Sequence, residues 1–153
     1  MRFVSVLLLL PLFACASIRQ RGSAAQSPPP SSFVRTTAEL RATRMVQVRD
    51  GIARADAMKA VADALQVRFV VEVADPNAGF TMTAWRASLS RDGVPDLRYR
   101  TRIVARFLGD DWRRLQLKSE ANWARGDEWE IGYDVAQLDT ASRELRERLS
   151  PRP

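Results

Sequence analysis

Hydrophobic and polar residues alternate most regularly in two neighbouring segments in the second half of the chain. Between residues 98 and 107, small or apolar side chains take every second position, and arginines fill most of the positions between them. The same period of two resumes from residue 114 to 123, after a Gly-Asp-Asp turn at 109–111. This period is typical of β-strands with one buried face. The sequence therefore predicts an antiparallel hairpin with one apolar face and one basic face.

Two registers of this hairpin keep the apolar faces together. Pairing Phe107 with Arg113 places basic side chains opposite one another along the polar face. Pairing Phe107 with Leu115 instead places Arg102 opposite Glu120. Because cross-strand pairs differ by about 0.2–1 kcal/mol each, we expect the second register.

Further patterns predict three more strands, a short segment that could extend the sheet, and two helices. The expected strands cover residues 43–48, 67–73 and 80–84, the short segment covers residues 128–133, and the expected helices cover residues 51–65 and 140–149. Asp50 is the expected N-cap of the first helix, and Asp139 or Thr140 that of the second. The fold class predicted from these elements is α+β. It is a two-layer sandwich in which an antiparallel sheet of about four to five strands packs on one long helix and a C-terminal helix.

The N-terminus has a different pattern. Arg2 precedes an uninterrupted, mostly apolar run from Phe3 to Ala14 that ends in small residues, which is typical of an export signal. As a helix the run is only about 18 Å long, against roughly 30 Å of hydrocarbon, so it is too short to span a membrane. Residues 17–34 are rich in Ser, Ala, Gln and Pro and lack an apolar period, which predicts a disordered tether. The expected organisation is a signal peptide at 1–14, a lipidated Cys and tether at 15–35, and one domain at 36–153.

Cys15 is the only cysteine of the chain and follows the apolar run directly. The segment Leu12-Phe13-Ala14-Cys15 resembles the lipobox of bacterial lipoproteins. The resemblance implies that Cys15 is acylated after removal of the signal, and that the protein is anchored in the outer membrane and faces the periplasm. Ala14-Cys15-Ala16 is also a small-x-small cleavage site, and cleavage after Ala16 would release a soluble secreted or periplasmic protein.

The composition excludes several kinds of chemistry. The 153 residues contain no His, which removes Ser–His and Cys–His catalysis and the commonest metal ligand. The acidic clusters at 110–111 and 127–130 lie in predicted turns and lack the spacing of a calcium loop. We therefore expect no enzymatic activity, no catalytic residue, no metal site and no cofactor. A hydrolase using carboxylates or Ser88 is the alternative in this class.

The basic face of the central hairpin is the main candidate for binding, in a chain of formal charge +6. Its predicted binding residues are Arg98, Arg100, Arg102, Arg106, Arg114 and Lys118. Alternate strand positions are about 6.7 Å apart, so the row suits a repeating anion such as phosphorylated lipid headgroups, an acidic glycan or an acidic protein face. Alternatively, the row is only a solvated face. We do not expect nucleic acid as a partner, since no aromatic residues alternate with these basic positions.

The four tryptophans are expected to have different roles. Trp123 and Trp129 are placed on the apolar faces of their strands, towards the core. Trp85 falls instead on the face of the returning strand that carries Thr81 and Thr83, and is a candidate contact residue.

The element order also suggests a family. The strand, turn and strand of Phe69–Asp75 and Gly79–Thr83, behind a signal, a Cys and a tether, are similar in order to small lipoprotein subunits of the bacterial barrel-assembly machinery. This resemblance concerns architecture and carries over no functional residue. The expected function is a non-enzymatic, lipid-anchored envelope protein that binds or scaffolds another envelope component through its basic sheet face. The alternative is a periplasmic carrier of a small apolar ligand or lipid, of helix-grip type.

Overall fold

The computed structural model describes residues 29–37, 43–89 and 92–151. The predicted signal peptide, Cys15 and the predicted tether up to residue 28 lie outside the described residues. The elements, in chain order, are β1 (Phe33–Arg35), β2 (Thr43–Gln47), α1 (Arg54–Gln66), β3 (Val71–Asp75), β4 (Phe80–Thr83), β5 (Arg86–Leu89), β6 (Pro95–Leu108), β7 (Arg114–Arg125), β8 (Glu128–Asp134) and α2 (Val135–Leu149).

Two long strands, β6 and β7, organise the sheet. They pair with each other along one edge. The other edge of β6 pairs with β5 near its start and with β4 near its end, and the other edge of β7 pairs with β2 near its start and with β8 near its end. The sheet then extends by β3 beyond β4 and by β1 beyond β8, and all pairs are antiparallel. The predicted hairpin register is confirmed, because Phe107 pairs with Leu115 and Arg102 pairs with Glu120.

The predicted fold class is wrong. Instead of four to five strands on one long helix, the described residues form an eight-stranded antiparallel sheet with two helices of 13 and 15 residues. The strands that were not predicted, β1 and β5, have three and four residues, too few to show a clear alternation. Residues 33–35 had been assigned to the tether, but they pair with β8 through their backbone and belong to the sheet.

Both helices pack on one face of the sheet, which we call the inner face; the opposite face is the outer face. The core between them consists mainly of aliphatic side chains from α1, α2, β2, β6 and β7, including Val61, Ile103, Leu117 and Leu145, which are fully buried. Neither helix of the described chain is long and apolar enough to cross a membrane.

Both predicted helix caps are wrong. Helix α1 begins at Arg54, and its N-cap Ala53 makes no side-chain cap hydrogen bond, so Asp50 does not cap it. Helix α2 begins five residues earlier than predicted, because the Asp134 carboxylate accepts a hydrogen bond from the backbone N–H of Gln137. Asp139, the expected cap, lies within the helix and forms an ion pair with Arg44.

The strand after α1 also differs from the prediction. Residues 67–70 form a turn and β3 starts at Val71. On β4, Thr81 pairs with Ala105 of the inner face, so the threonines are buried and Met82 lies on the outer face opposite Val104. The prediction had placed the threonines outside, because their hydroxyls mark them as polar; Thr83 instead uses its hydroxyl to accept a hydrogen bond from the backbone N–H of Ile103.

The Asp134 carboxylate also joins the N-terminal segment to the domain. It accepts hydrogen bonds from the Ser32 hydroxyl at 2.9 Å and from the Tyr99 hydroxyl at 2.7 Å. Burial, and then the hydrogen bond to Asp134, raise the pKa of Tyr99, so its hydroxyl remains a neutral donor. The Phe33 ring packs edge-on against Tyr99. The segment around Ser32 and Phe33 is therefore attached to the domain through a buried polar contact.

Candidate functional site

The predicted basic residues all occupy outer-face positions of β6 and β7. The alternation of buried and accessible residues along both strands places them on the side away from the helices. They are not equivalent, however, because carboxylates of the described chain neutralise some of them and leave the others unpaired.

Three of the six basic residues form ion pairs. Arg98 binds Asp96 on its own strand, and this hydrogen bond lowers the pKa of Asp96. Arg102 and Lys118 share Glu120, at 2.6 and 2.7 Å. Burial opposes the ionisation of Glu120, but hydrogen bonds from Lys118 and Arg102 outweigh it and hold the pKa of this carboxyl below its usual value. At neutral pH, Arg102, Lys118 and Glu120 together therefore carry one net positive charge, and Glu120 occupies both cations.

The other three basic residues, Arg100, Arg106 and Arg114, have no carboxylate partner among the described residues. Arg106 faces Gln116 and Arg114 faces Leu108, so these two are diagonal neighbours. Arg100 is six positions from Arg106, which corresponds to about 20 Å along the strand. The outer face thus presents two separate positive regions rather than one continuous row.

Arg100 is held between two tryptophans. Its guanidinium carbon lies 4.8 Å from the ring centroid of Trp85 and 4.6 Å from that of Trp129. The Arg102 guanidinium lies 4.6 Å from the same Trp85 ring. Cation–π contacts of this kind contribute about 0.5–2 kcal/mol each, depending on how far they are desolvated. We call the arrangement of Trp85, Arg100 and Trp129 the Trp–Arg stack.

The stack leaves part of the guanidinium without a partner. The Nε atom of Arg100 is buried and makes no hydrogen bond with the described residues. Trp129 is 43% exposed, so the stack borders solvent on that side. A buried, unpaired donor of a charged group is unfavourable unless a partner or water reaches it. The stack therefore contains one hydrogen-bond donor that no described residue satisfies.

The positions of Trp85 and Trp129 differ from the sequence predictions. Trp129 shares a strand face with Ile131, as expected, but that face is the outer one, because Trp129 pairs with Ala124 and Ile131 with Asn122. Trp85 follows the end of β4 and lies beside Arg100 on the outer face, not with Thr83. Trp85 was predicted as a contact residue; Trp129 was missed, since the alternation of β8 alone does not say which face meets the helices.

A hydrolytic centre receives no support from Asp134, the carboxylate that shares a cavity with Ser88. Ser88, Tyr99 and Asp134 line a cavity of about 180 Å³ at the edge of the inner face. Both carboxylate oxygens of Asp134 already accept hydrogen bonds from protein donors. Asp134 therefore acts as a helix cap, and neither oxygen is free to accept a proton as a general base would. Within the described ranges, no group of three or more acidic residues is placed to hold a metal ion.

The core formed by the described residues likewise gives no support to the carrier alternative. The inner face of β6 and β7 is filled by side chains such as Ile103, Leu115 and Leu117, which pack against Leu138 and Leu145 of α2. This packing is that of a closed core, and the cavities lined by described residues, such as the one beside Ser88, lie at its edges.

Comparison with known proteins gives no family assignment. No model of a known protein family matches the chain, and no curated protein matches it either. The functional proposal therefore rests on the outer face and on the N-terminal sequence.

Proposed function

We propose that this chain is a lipid-anchored bacterial envelope protein without catalytic activity, which binds an anionic group of another envelope component through its outer sheet face. The observation that carries the proposal is the Trp–Arg stack, in which Arg100 lies between two indole rings without a carboxylate partner among the described residues. The unpaired Arg106 and Arg114 supply a second positive region on the same face.

The stack suits recognition of a phosphate or carboxylate better than general solvation. A guanidinium held between two rings is already oriented, so less side-chain entropy is lost when an anion binds. The N–H groups of a guanidinium lie in one plane, and this geometry matches the two oxygens of a carboxylate or phosphate. A lysine in the same place would present a single point charge.

The proposed anchor is an acylated Cys15 in the outer membrane, with the domain facing the periplasm. Two or more acyl chains hold a protein stably at a membrane, whereas one chain holds it only marginally. Intact-mass measurement on the purified protein tests this part of the proposal. We expect a chain that begins at Cys15 and carries acyl groups; an unmodified chain beginning at Ser17 in the medium would support the secreted alternative and contradict the anchor.

The contact itself is tested by site-specific photocrosslinking of the full-length, anchored protein in intact cells. A photoreactive residue replaces Ile131, which is 68% exposed on the outer face near the Trp–Arg stack. The matched control carries it at Arg143, an exposed position on α2. Because both variants keep the same anchor, we expect a discrete crosslinked product from position 131 only. Equal products from both positions, or none from 131, would contradict binding through the outer face.

The ion pairs of Glu120 at the centre of the outer face lead to a prediction of increased crosslinking. Replacing Glu120 with Gln removes the shared partner of Arg102 and Lys118 and leaves two more cations free. Since an exposed ion pair contributes about 0.2–1 kcal/mol, we expect the crosslinking yield from position 131 to rise by a factor of about two to five. Asp139→Asn, which frees Arg44 on the other side of the domain, is the control and should leave the yield unchanged. A lower yield for Glu120→Gln would mean that Glu120 itself contacts the partner.

A further inference from the structure

One group of exposed aliphatic side chains lies where strands β5 and β6 meet. Leu89 at the end of β5 pairs with Pro95 at the start of β6, and Leu97 follows two residues later. Leu97 is 77% exposed and Leu89 is also exposed. We call Leu89 and residues 94–97 the hairpin tip. Large aliphatic side chains clustered on a surface mark a site of interaction rather than a part of the core.

The N-terminal segment of the described chain lies beside this tip. Pro30 and Ser32 line the same cavity as Ser88 and Leu89. The segment is fixed there, because the Ser32 hydroxyl donates to the buried Asp134 carboxylate. Thirteen residues separate Cys15 from residue 29. A disordered tether of this length, as the sequence predicts, has a root-mean-square extension of about 20 Å. A domain anchored through Cys15 is therefore held with this end towards the membrane.

We propose that the hairpin tip is a second membrane contact, which inserts Leu89 and Leu97 into the interfacial region of the bilayer that holds the acyl anchor. This inference rests on the proposed anchor but not on the partner bound by the outer face. We assign lipid, and not a second copy of the chain, as the binding partner of the tip, because the proposed anchor keeps the tip within reach of lipid. The apolar side chains supply favourable burial once the acyl chains have brought the domain to the surface.

The contact would also orient the outer face. The tip lies at the first residues of β6, whereas Arg106 lies nine residues beyond Leu97 on the same strand, about 30 Å away. With the tip in the interface, β6 and β7 extend away from the membrane. Arg106 and Arg114 would then face the periplasm, where a second envelope component can reach them.

The test uses a fluorescent probe on the mature, acylated protein. Since Cys15 is the only natural cysteine and its thiol is consumed by acylation, Leu97→Cys supplies one thiol for an environment-sensitive fluorophore. The matched control is Met45→Cys, because Met45 is also apolar, is 44% exposed and pairs with Gln116, opposite Arg106. Both proteins are reconstituted in vesicles of phosphatidylethanolamine and phosphatidylglycerol, with or without nitroxide-labelled lipid.

We expect the probe at residue 97 to shift to shorter wavelength and to lose emission when nitroxide lipid is present, and the probe at residue 45 to do neither. Acylated protein whose two probes are equally insensitive to the nitroxide would overturn the inference while leaving the anchor intact. A blue shift at residue 97 without nitroxide quenching would show burial against protein, and would also overturn it. Intact mass without acyl groups would instead contradict the proposed anchor, so the two failures are distinguishable.

Discussion

Replacing Arg100 with Gln is expected to lower the crosslinking yield from position 131 by about tenfold or more. The change removes the charge from the Trp–Arg stack and leaves the two indole rings in place. Hydrogen bonds to charged groups are worth about 1.5–3 kcal/mol, and each 1.4 kcal/mol corresponds to a factor of ten in affinity. The measurement is the yield of the crosslinked product at partner concentrations below saturation.

Two further variants make this result specific. Arg100→Lys keeps the charge but loses the planar fork, so we expect a yield between those of the natural protein and Arg100→Gln. Arg143→Gln removes one exposed positive charge on α2 and should change nothing. Arg100→Gln loses two cation–π contacts but no ion pair with the described residues, so we expect a loss of stability of no more than about 0.5–2 kcal/mol for each contact, too small to unfold the domain at room temperature. Equal losses for Arg100→Gln and Arg143→Gln would indicate a net-charge effect instead of a site.

Replacing Asp134 with Ala is expected to lower the free energy of unfolding by about 3 kcal/mol. The change removes an N-cap, worth about 1 kcal/mol, and leaves the buried Tyr99 hydroxyl without its acceptor, at a further cost of about 1–3 kcal/mol. It also releases Ser32, so the N-terminal segment loses its polar attachment. Urea unfolding followed by circular dichroism measures the effect.

The matched control for this variant is Asp139→Ala. Asp139 was the cap expected from the sequence, but it lies on the surface of α2 and contributes only an exposed ion pair with Arg44. Its removal should cost less than about 1 kcal/mol. If Asp139→Ala were as destabilising as Asp134→Ala, the helix would begin where the sequence pattern suggested, and the described cap would be wrong.

The long elements of this fold could be predicted from the sequence because, in each of them, hydrophobic residues keep the spacing of a strand or of a helix over many positions. The hairpin of β6 and β7 combines strict alternation with a charge pattern, and the opposition of Arg102 and Glu120 was sufficient to select its register. Helix α1 was also located, although its cap was not. The six outer-face basic positions follow from the same alternation.

The remaining features depend on tertiary contacts that a local pattern does not contain. Strand β1 has three residues and is stabilised by backbone pairing with β8 and by the Phe33 ring against Tyr99. Thr81 is buried because its strand joins β6 at Ala105, a partner that no local pattern identifies. The Trp–Arg stack brings together residues from three separate segments, so its parts look unrelated along the chain.

The ionic-strength dependence of crosslinking from position 131 tests the central claim most directly, because exposed charge contacts are screened over about 10 Å at 0.1 M salt and about 3 Å at 1 M. Isolated envelopes containing the anchored protein with the photoreactive residue at position 131, and otherwise of natural sequence, are irradiated at increasing salt, and the product is quantified at each step. Binding of an anionic group by Arg100 and its neighbours predicts a yield that falls steadily with salt, with a shallower slope for Arg100→Gln. A yield that is the same at low and high salt, and the same for both proteins, would contradict it.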